Sequence, residues 1–299
     1  MIDARTDAAL RGALDGLAAA SGAPGAVAAI RCEGLGAWVA ASGFADLERR
    51  SGLAADARLP IYSVAKSMIA VCVLRLAELR ALALDDPLAR WLPDLPFRET
   101  VTLRQLLAHS AGVPNYSELP EQIEALAASP SSAWTFAQLV ERSCARGLAF
   151  APGAGWLYSN TGYALLARVV ERANATSLAE AVQQHIAGPL GLSATGVVAD
   201  RRAFASLAPA FSAAFRDGES LADVRAVYDP GWVAHGLVAS SAAEVAEFFY
   251  ALFAGKLVQR ESLAEMTRLV RVSGNHPRMA APAYGLGLMG DLAGAFGPD

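Results

Sequence analysis

The stretch Ser63-Val64-Ala65-Lys66-Ser67-Met68-Ile69-Ala70-Val71-Cys72-Val73-Leu74 decides how the chain folds. From Met68 onward it is apolar on every side of a helical projection, the pattern of a helix buried at the centre of a molecule. The helix is expected to open at Ser63 and to run to about Leu84. At i and i+3, Ser63 and Lys66 share one face with Cβ atoms about 5–6 Å apart. Amide groups and the dipole at a helix head favour negative charge on a serine oxygen or its adduct. The same field, with burial, disfavours a charged ammonium and lowers its pKa. Ser63 is the candidate nucleophile and Lys66 the candidate proton acceptor.

Cation usage supports that reading. Of 25 Lys and Arg residues, only Lys66 and Lys256 are lysines. Arginine serves almost every other cationic position, and a guanidinium cannot give up its proton near neutral pH, whereas a desolvated ammonium can.

Further along, Pro152-Gly153-Ala154-Gly155 forms a turn cluster that delivers Trp156, Leu157, Tyr158, Ser159 and Asn160 to a helix beginning near Thr161. A phenol beside an ammonium is a workable proton shuttle, which makes Tyr158 a third candidate. The Asn160 amide can hold a substrate carbonyl or the Lys66 head group, or can simply cap the next helix. Tyr116, in the loop after Ser110, is a candidate lining residue, and Trp156 is read as packing.

Around these residues the patterning predicts an amphipathic helix over 6–20, with Leu10, Leu14 and Leu17 on one face and Thr6 or Asp7 as cap. A hairpin follows from runs 26–31 and 37–41, joined around Gly34-Leu35-Gly36. Asp85-Asp86-Pro87 reads as a cap and first-turn proline for a short helix ending near Trp91-Leu92. Residues 102–108 form another short helix, 111–133 a loop-rich region, and 135–146 a further helix. Ser177 and Ser241, each three residues before a Glu, have capping-box spacing, with Gly188 and Gly255 as stops. A short strand is expected at 284–289.

Composition bounds the rest. A chain of 299 residues with 54% hydrophobic and 18% charged content is globular and long enough for a sizeable core. A net charge of −4 offers no basic stripe for nucleic acid and no polybasic membrane patch. Neither a secretory leader nor a membrane-spanning run is seen, so a soluble, cytoplasmic protein is expected. Three widely spaced cysteines suggest neither a disulfide framework nor a zinc site, and no cofactor or metal is implied. The four histidines, His109, His185, His235 and His276, show no metal or triad spacing and are read as polar surface or capping residues.

Ser-x-x-Lys at the head of a buried helix, then Tyr-x-Asn at 158–160, resembles the class C β-lactamase and penicillin-binding-protein family of serine hydrolases. Residues 102–112 (Thr-Leu-Arg-Gln-Leu-Leu-Ala-His-Ser-Ala-Gly) look like that family's helix and turn after the first active-site element. Phe150-Ala151-Pro152-Gly153, Gly188-Pro189-Leu190-Gly191-Leu192 and Gly236-Leu237-Val238-Ala239-Ser240 are similar too. The resemblance implies an α/β (α+β) fold, an antiparallel sheet flanked by helices beside an all-helical domain. Residues 1–60 and 236–299 form the sheet-bearing domain and 61–235 the helical one, with the site at their interface. It implies that Ser63 is acylated, that Lys66 and Tyr158 move protons, that Asn160 contacts substrate, and that the Ser63 amide forms half an oxyanion hole.

The substrate class implied is an ester, amide or β-lactam carbonyl in a small molecule or peptide. An esterase or D-amino-acid amidase is the first choice, with a β-lactamase or D-Ala-D-Ala carboxypeptidase as the alternative. One family element is absent: the sequence holds neither a Lys-Thr-Gly nor a His-x-Gly motif. That motif's strand and its neighbours are therefore expected on a further segment, such as a second polypeptide. Two rivals stand against this reading. One is an α/β-hydrolase elbow at Ala108-His109-Ser110-Ala111-Gly112, which requires a strand before the serine. The other is a catalytically silent binding or scaffolding protein on the same fold.

Overall fold

The structure, a computed structural model, describes residues 2–48, 50–97, 100–217, 220–272 and 279–294. Its elements run α1 (Ala4–Ser21), β1 (Gly25–Cys32), β2 (Gly36–Gly43), β3 (Leu59–Pro60), α2 (Ala65–Glu78), α3 (Leu103–Leu107), α4 (Pro120–Ala128) and α5 (Phe136–Cys144). There follow α6 (Asn160–Asn174), α7 (Leu178–Val182), α8 (Gly188–Leu190), β4 (Gly196–Val197), α9 (Arg201–Ala205), β5 (Phe211–Asp217), β6 (Ser220–Asp223) and α10 (Val224–Val227). The last are β7 (Val238–Ser240), α11 (Ala242–Phe253), α12 (Arg260–Met266), β8 (Val270–Arg271), β9 (Pro282–Tyr284) and β10 (Met289–Asp291). Strand pairing is antiparallel throughout the described residues, in the orders β1-β2, β3-β7-β4, β5-β6 and β8-β9-β10. The architecture is α/β, with short antiparallel sheets flanked by helices beside a mainly helical region.

The β1–β2 hairpin pairs Ala28 with Ala40 and Ile30 with Trp38. One face meets α1 through Leu10 and Leu14. Trp38 Nε1 donates to Asp7 Oδ1 at 2.8 Å and Ser42 to Asp15 at 2.6 Å on that same face. The other face meets α11, where the Arg31 guanidinium pairs with Glu247 at 2.8 Å and lies over the Tyr250 ring. Asp3, not Thr6 or Asp7, caps α1, its carboxylate accepting from the Thr6 amide; the Asp7 carboxylate is taken by Arg11 and Trp38. Leu17 is 69% exposed, because the buried face runs through Leu14 and Ala18 and leaves Leu17 at its margin.

The main core forms around α2. Met68, Ile69, Val71 and Leu74 are essentially inaccessible, as are Tyr163, Leu166 and Val170 of α6, which packs against it. Burying each such side chain contributes roughly 1.5–3 kcal/mol.

The helix stops at Glu78, short of the expected Leu84. Arg80 turns left-handed (φ 58). The Arg80 and Ala81 amides then bond back to the Ala77 and Leu76 carbonyls, a Schellman closure without glycine. The short helix expected after Asp86 is a 3-10 turn, Leu88–Arg90. Its Asp86 carboxylate serves the Ala83 amide, Arg90 and Trp91 Nε1 instead of capping.

Other differences are local. The region 111–133 carries α4, with Pro120 in its first turn. Gly188 is helical, the chain passing through a π-helical turn at Gln183–Ala187 into α8, and Gly191 (φ 67) ends it. The capping box at Ser177 is complete. Ser241 caps α11, but Glu244 turns away to the Ala194 amide and the Thr195 hydroxyl. The strand expected at 284–289 is two strands, β9 and β10, folded back through Gly285-Leu286-Gly287-Leu288.

Candidate active site

Three segments meet at Ser63. β3 pairs with β7, and the Ile61 amide donates to the Val238 carbonyl at 2.9 Å, fixing the lead-in. Tyr62 is left-handed (φ 39) and opens a 3-10 turn, Tyr62–Val64, so Ser63 precedes the α-helix proper by half a turn instead of opening it. Lys66 follows in the first turn of α2. The Gly-rich turn at 152–155 then brings in Tyr158, and Ser159 caps α6 through the Gly162 amide.

Lys66 Nζ lies 3.1 Å from Ser63 Oγ. The Tyr158 hydroxyl donates to the same oxygen at 2.8 Å across a separation of 95 residues. Ser63 is exposed while Lys66 is 1% exposed, so the pair joins an accessible hydroxyl to a buried amine. Nζ sits over the rings of Tyr158 (4.9 Å) and Tyr163 (5.7 Å). Burial alone brings the Lys66 pKa down to about 7. Burial pushes the Tyr158 phenol up, partly offset by its bond to Ser63, so it keeps its proton at neutral pH.

Asn160 stands at the start of α6 but does not reach Lys66. Its Nδ2 donates to Ser117 Oγ at 3.0 Å and its amide to Asn115 Oδ1 at 3.1 Å. Tyr116 is 4% exposed, and its hydroxyl donates to the Trp232 carbonyl at 2.5 Å while accepting from the Ala234 amide at 3.2 Å. That hydroxyl organises the 232–234 loop. Trp156 packs against His109 and Tyr284.

The histidine expectation needs correction. His109, His185 and His235 are buried, while His276 lies outside the described residues. His109 is enclosed by Tyr158, Tyr163 and Tyr284, and desolvation, then the nearby Lys66, holds it well below its ordinary pKa. Desolvation, followed by Lys66, pushes His235 down to about 3, so both rings are neutral beside the amine. Ser67 and Gly287 also belong to the site's frame and had no signal beyond their residue type. His109 lies inside the 102–112 segment, but nothing in its local sequence marks a ring turned inward. Ser110 follows α3 and a turn, with no strand before it, which removes the elbow reading.

The sequence pattern of the beta-lactamase family matches residues 10–297. The chain belongs to the beta-lactamase family. Among solved structures, a D-stereospecific amidohydrolase from Streptomyces sp. superposes on this family member with a TM-score of 0.80 at 32% identity. The match covers 95% of this chain and 83% of that one. Penicillin-binding protein 4* of Bacillus subtilis (strain 168) is 31% identical over 168 residues, 52% of this chain and 34% of its own. Esterase EstB of Burkholderia gladioli is 33% identical over 185 residues, 58% of this chain and 47% of its own. This beta-lactamase-family chain thus spans less than half the length of these two curated relatives.

Among the described residues no helix is long and apolar enough to cross a membrane, and no group of three or more His, Cys, Asp or Glu side chains is placed to hold a metal ion.

Proposed function

We propose that this chain is a serine hydrolase that forms an acyl-enzyme on Ser63. The observation that carries the reading is the shared position of Ser63 Oγ, 3.1 Å from Lys66 Nζ and 2.8 Å from the Tyr158 hydroxyl. With Lys66 neutral, the Ser63 proton passes to Nζ as Oγ attacks a carbonyl carbon. A proton returned through the Tyr158 hydroxyl expels the alcohol or amine, and water then releases the acid along the reverse path. The Ser63 amide is assigned half of an oxyanion hole, an element commonly worth several kcal/mol of barrier. Asn160 keeps its Oδ1 for a substrate N–H, and Tyr116 acts through the 232–234 loop instead of touching substrate.

Esters and D-amino-acid amides are the proposed substrates, supported by the Streptomyces amidohydrolase and the Burkholderia esterase. Within the family the chain is assigned to a class C-like branch, because a tyrosine phenol accompanies the Ser-Lys pair. The site is read as lying between the sheet-bearing part (1–60 and 236–299) and the helical part (61–235). A reducing, cytoplasmic setting suits its three unpaired cysteines.

β1 pairs with β2 alone among the described residues, although helices cover both faces of that sheet. A two-stranded sheet is marginal by itself. A strand from a further segment or second polypeptide is proposed to complete it. Intact-mass analysis of the native active protein tests this, since full activity from a 31.1 kDa species alone defeats it.

The functional test is a panel of p-nitrophenyl esters, D-amino-acid amides and nitrocefin, with a fluorophosphonate label. Labelling at Ser63 that disappears in Ser63→Ala supports the reading. Preferential turnover of nitrocefin assigns a β-lactamase instead, and a folded, unlabelled, inactive protein assigns a silent binding module.

A further inference from the structure

His109 meets the chain on both sides of Tyr158. Its carbonyl accepts from the Leu157 amide at 2.9 Å, and its Nδ1 accepts from the Ser159 amide at 3.1 Å. Its ring centroid lies 4.5 Å from that of Tyr158, with the rings of Tyr284 and Tyr163 at 4.7 and 5.0 Å behind it. The residue is 2% exposed and left-handed (φ 58), a conformation that non-glycine residues seldom adopt.

We infer that His109 is a positioning residue for Tyr158, clamping the amides of its two neighbours, Leu157 and Ser159, and backing its phenol so that the hydroxyl meets Ser63 Oγ. This rests on the proposed role of Tyr158. The clamp also fixes the imidazole tautomer. With Nδ1 accepting from Ser159, the neutral ring carries its proton on Nε2, which is buried without a hydrogen-bond partner. A histidine that only filled space needs no acceptor at Nδ1, and that difference is testable.

In His109→Asn the amide oxygen stands near the place of Nδ1, and Asn tolerates left-handed backbone. In His109→Gln the acceptor is carried one bond too far. The expected result is near-wild-type kcat for His109→Asn and a kcat loss of about 10²-fold for His109→Gln with KM unchanged, the cost of a misplaced reacting group. In a Tyr158→Phe background, His109→Gln is expected to cost nothing more. Equal kcat losses in the two variants, a loss confined to KM, or full additivity with Tyr158→Phe overturns the inference.

Imidazole 15N spectra of the wild-type protein give a readout independent of activity and of variant folding. A single Nε2–H tautomer across pH 6–9 is expected, and an Nδ1–H tautomer overturns the clamp. Fluorophosphonate labelling of the wild type separates the two failures. An unlabelled wild type sinks the hydrolase reading, whereas a labelled one with an Nδ1–H imidazole sinks only the role of His109.

Discussion

Ser67 Oγ donates to the Gly287 carbonyl at 2.7 Å inside the core, tying the first turn of α2 to the β9–β10 turn 220 residues later. The hairpin approaches this closely because Gly287 has φ 79 and no side chain; a Cβ there would stand 2.5 Å from Ala70 Cβ. The turn and the helix carrying Lys66 are thereby locked together.

Gly287→Ala is expected to destabilise the protein on the order of 3 kcal/mol, from left-handed strain plus overpacking against Ala70. Ser67→Ala leaves a buried carbonyl unpaired and is expected to cost about 1–3 kcal/mol. Urea unfolding midpoints check both, and a Gly287→Ala midpoint equal to wild type would contradict the packing described.

Lys66 at about 7 sets two pH dependences. As acceptor it must be neutral, so kcat/KM for a p-nitrophenyl ester is expected to rise with pH through about 7. Lys66→Arg abolishes turnover at every pH with the fold retained. For stability, the unfolded lysine keeps its proton to about 10.4 while the folded one releases it near neutrality. Between these values the unfolded state binds more protons, so this group's contribution to stability rises with pH. Lys66→Met is therefore expected to be more stable than wild type at pH 7, with the gap closing toward pH 10. Denaturant titrations of the two proteins at both pH values read this directly, and a gap that widened with pH would count against it.

Tyr116→Phe removes a donor to the Trp232 carbonyl and an acceptor for the Ala234 amide. The expected loss is about 1–3 kcal/mol of stability for each buried group left unpaired. KM per folded molecule is expected to move less than two-fold. Steady-state kinetics and thermal unfolding together decide, and a large KM change with no loss of stability would make Tyr116 a substrate contact.

Cys72 and Cys144 are buried thiols whose pKa is pushed up to about 12 by desolvation, while Cys32 is exposed. Thiolate, not thiol, reacts with disulfide reagents. Native protein is expected to titrate one thiol rapidly with Ellman's reagent and all three only after unfolding. Three fast thiols in the native state would show that the α2 core is open.

The α2 core and the Ser63–Lys66 pairing were legible because both are local: one depends on apolar residues at every helical phase, the other on a three-residue spacing. Caps written in one short stretch, such as Ser177 with Glu180, were equally readable. The end of α2 was not, since a left-handed Arg80 has no signature comparable to glycine. The β9–β10 pair looked like one strand because its turn, Gly285-Leu286-Gly287-Leu288, is buried against α2 and therefore apolar. Leu17 falls outside the buried face because helical phase specifies a face only to within the width of whatever packs there.

What the amino-acid order determined alone was the presence of a buried central helix and of a hydroxyl, an amine and a phenol suited to trade one proton. Tertiary structure decided that the phenol arrives from 95 residues away to share the serine oxygen and that two histidines turn inward beside the amine. It also decided that the amine is desolvated. The physical reason is range: hydrogen-bond spacing along a helix is set within a few residues, whereas solvent exclusion is set by every element packed around the group.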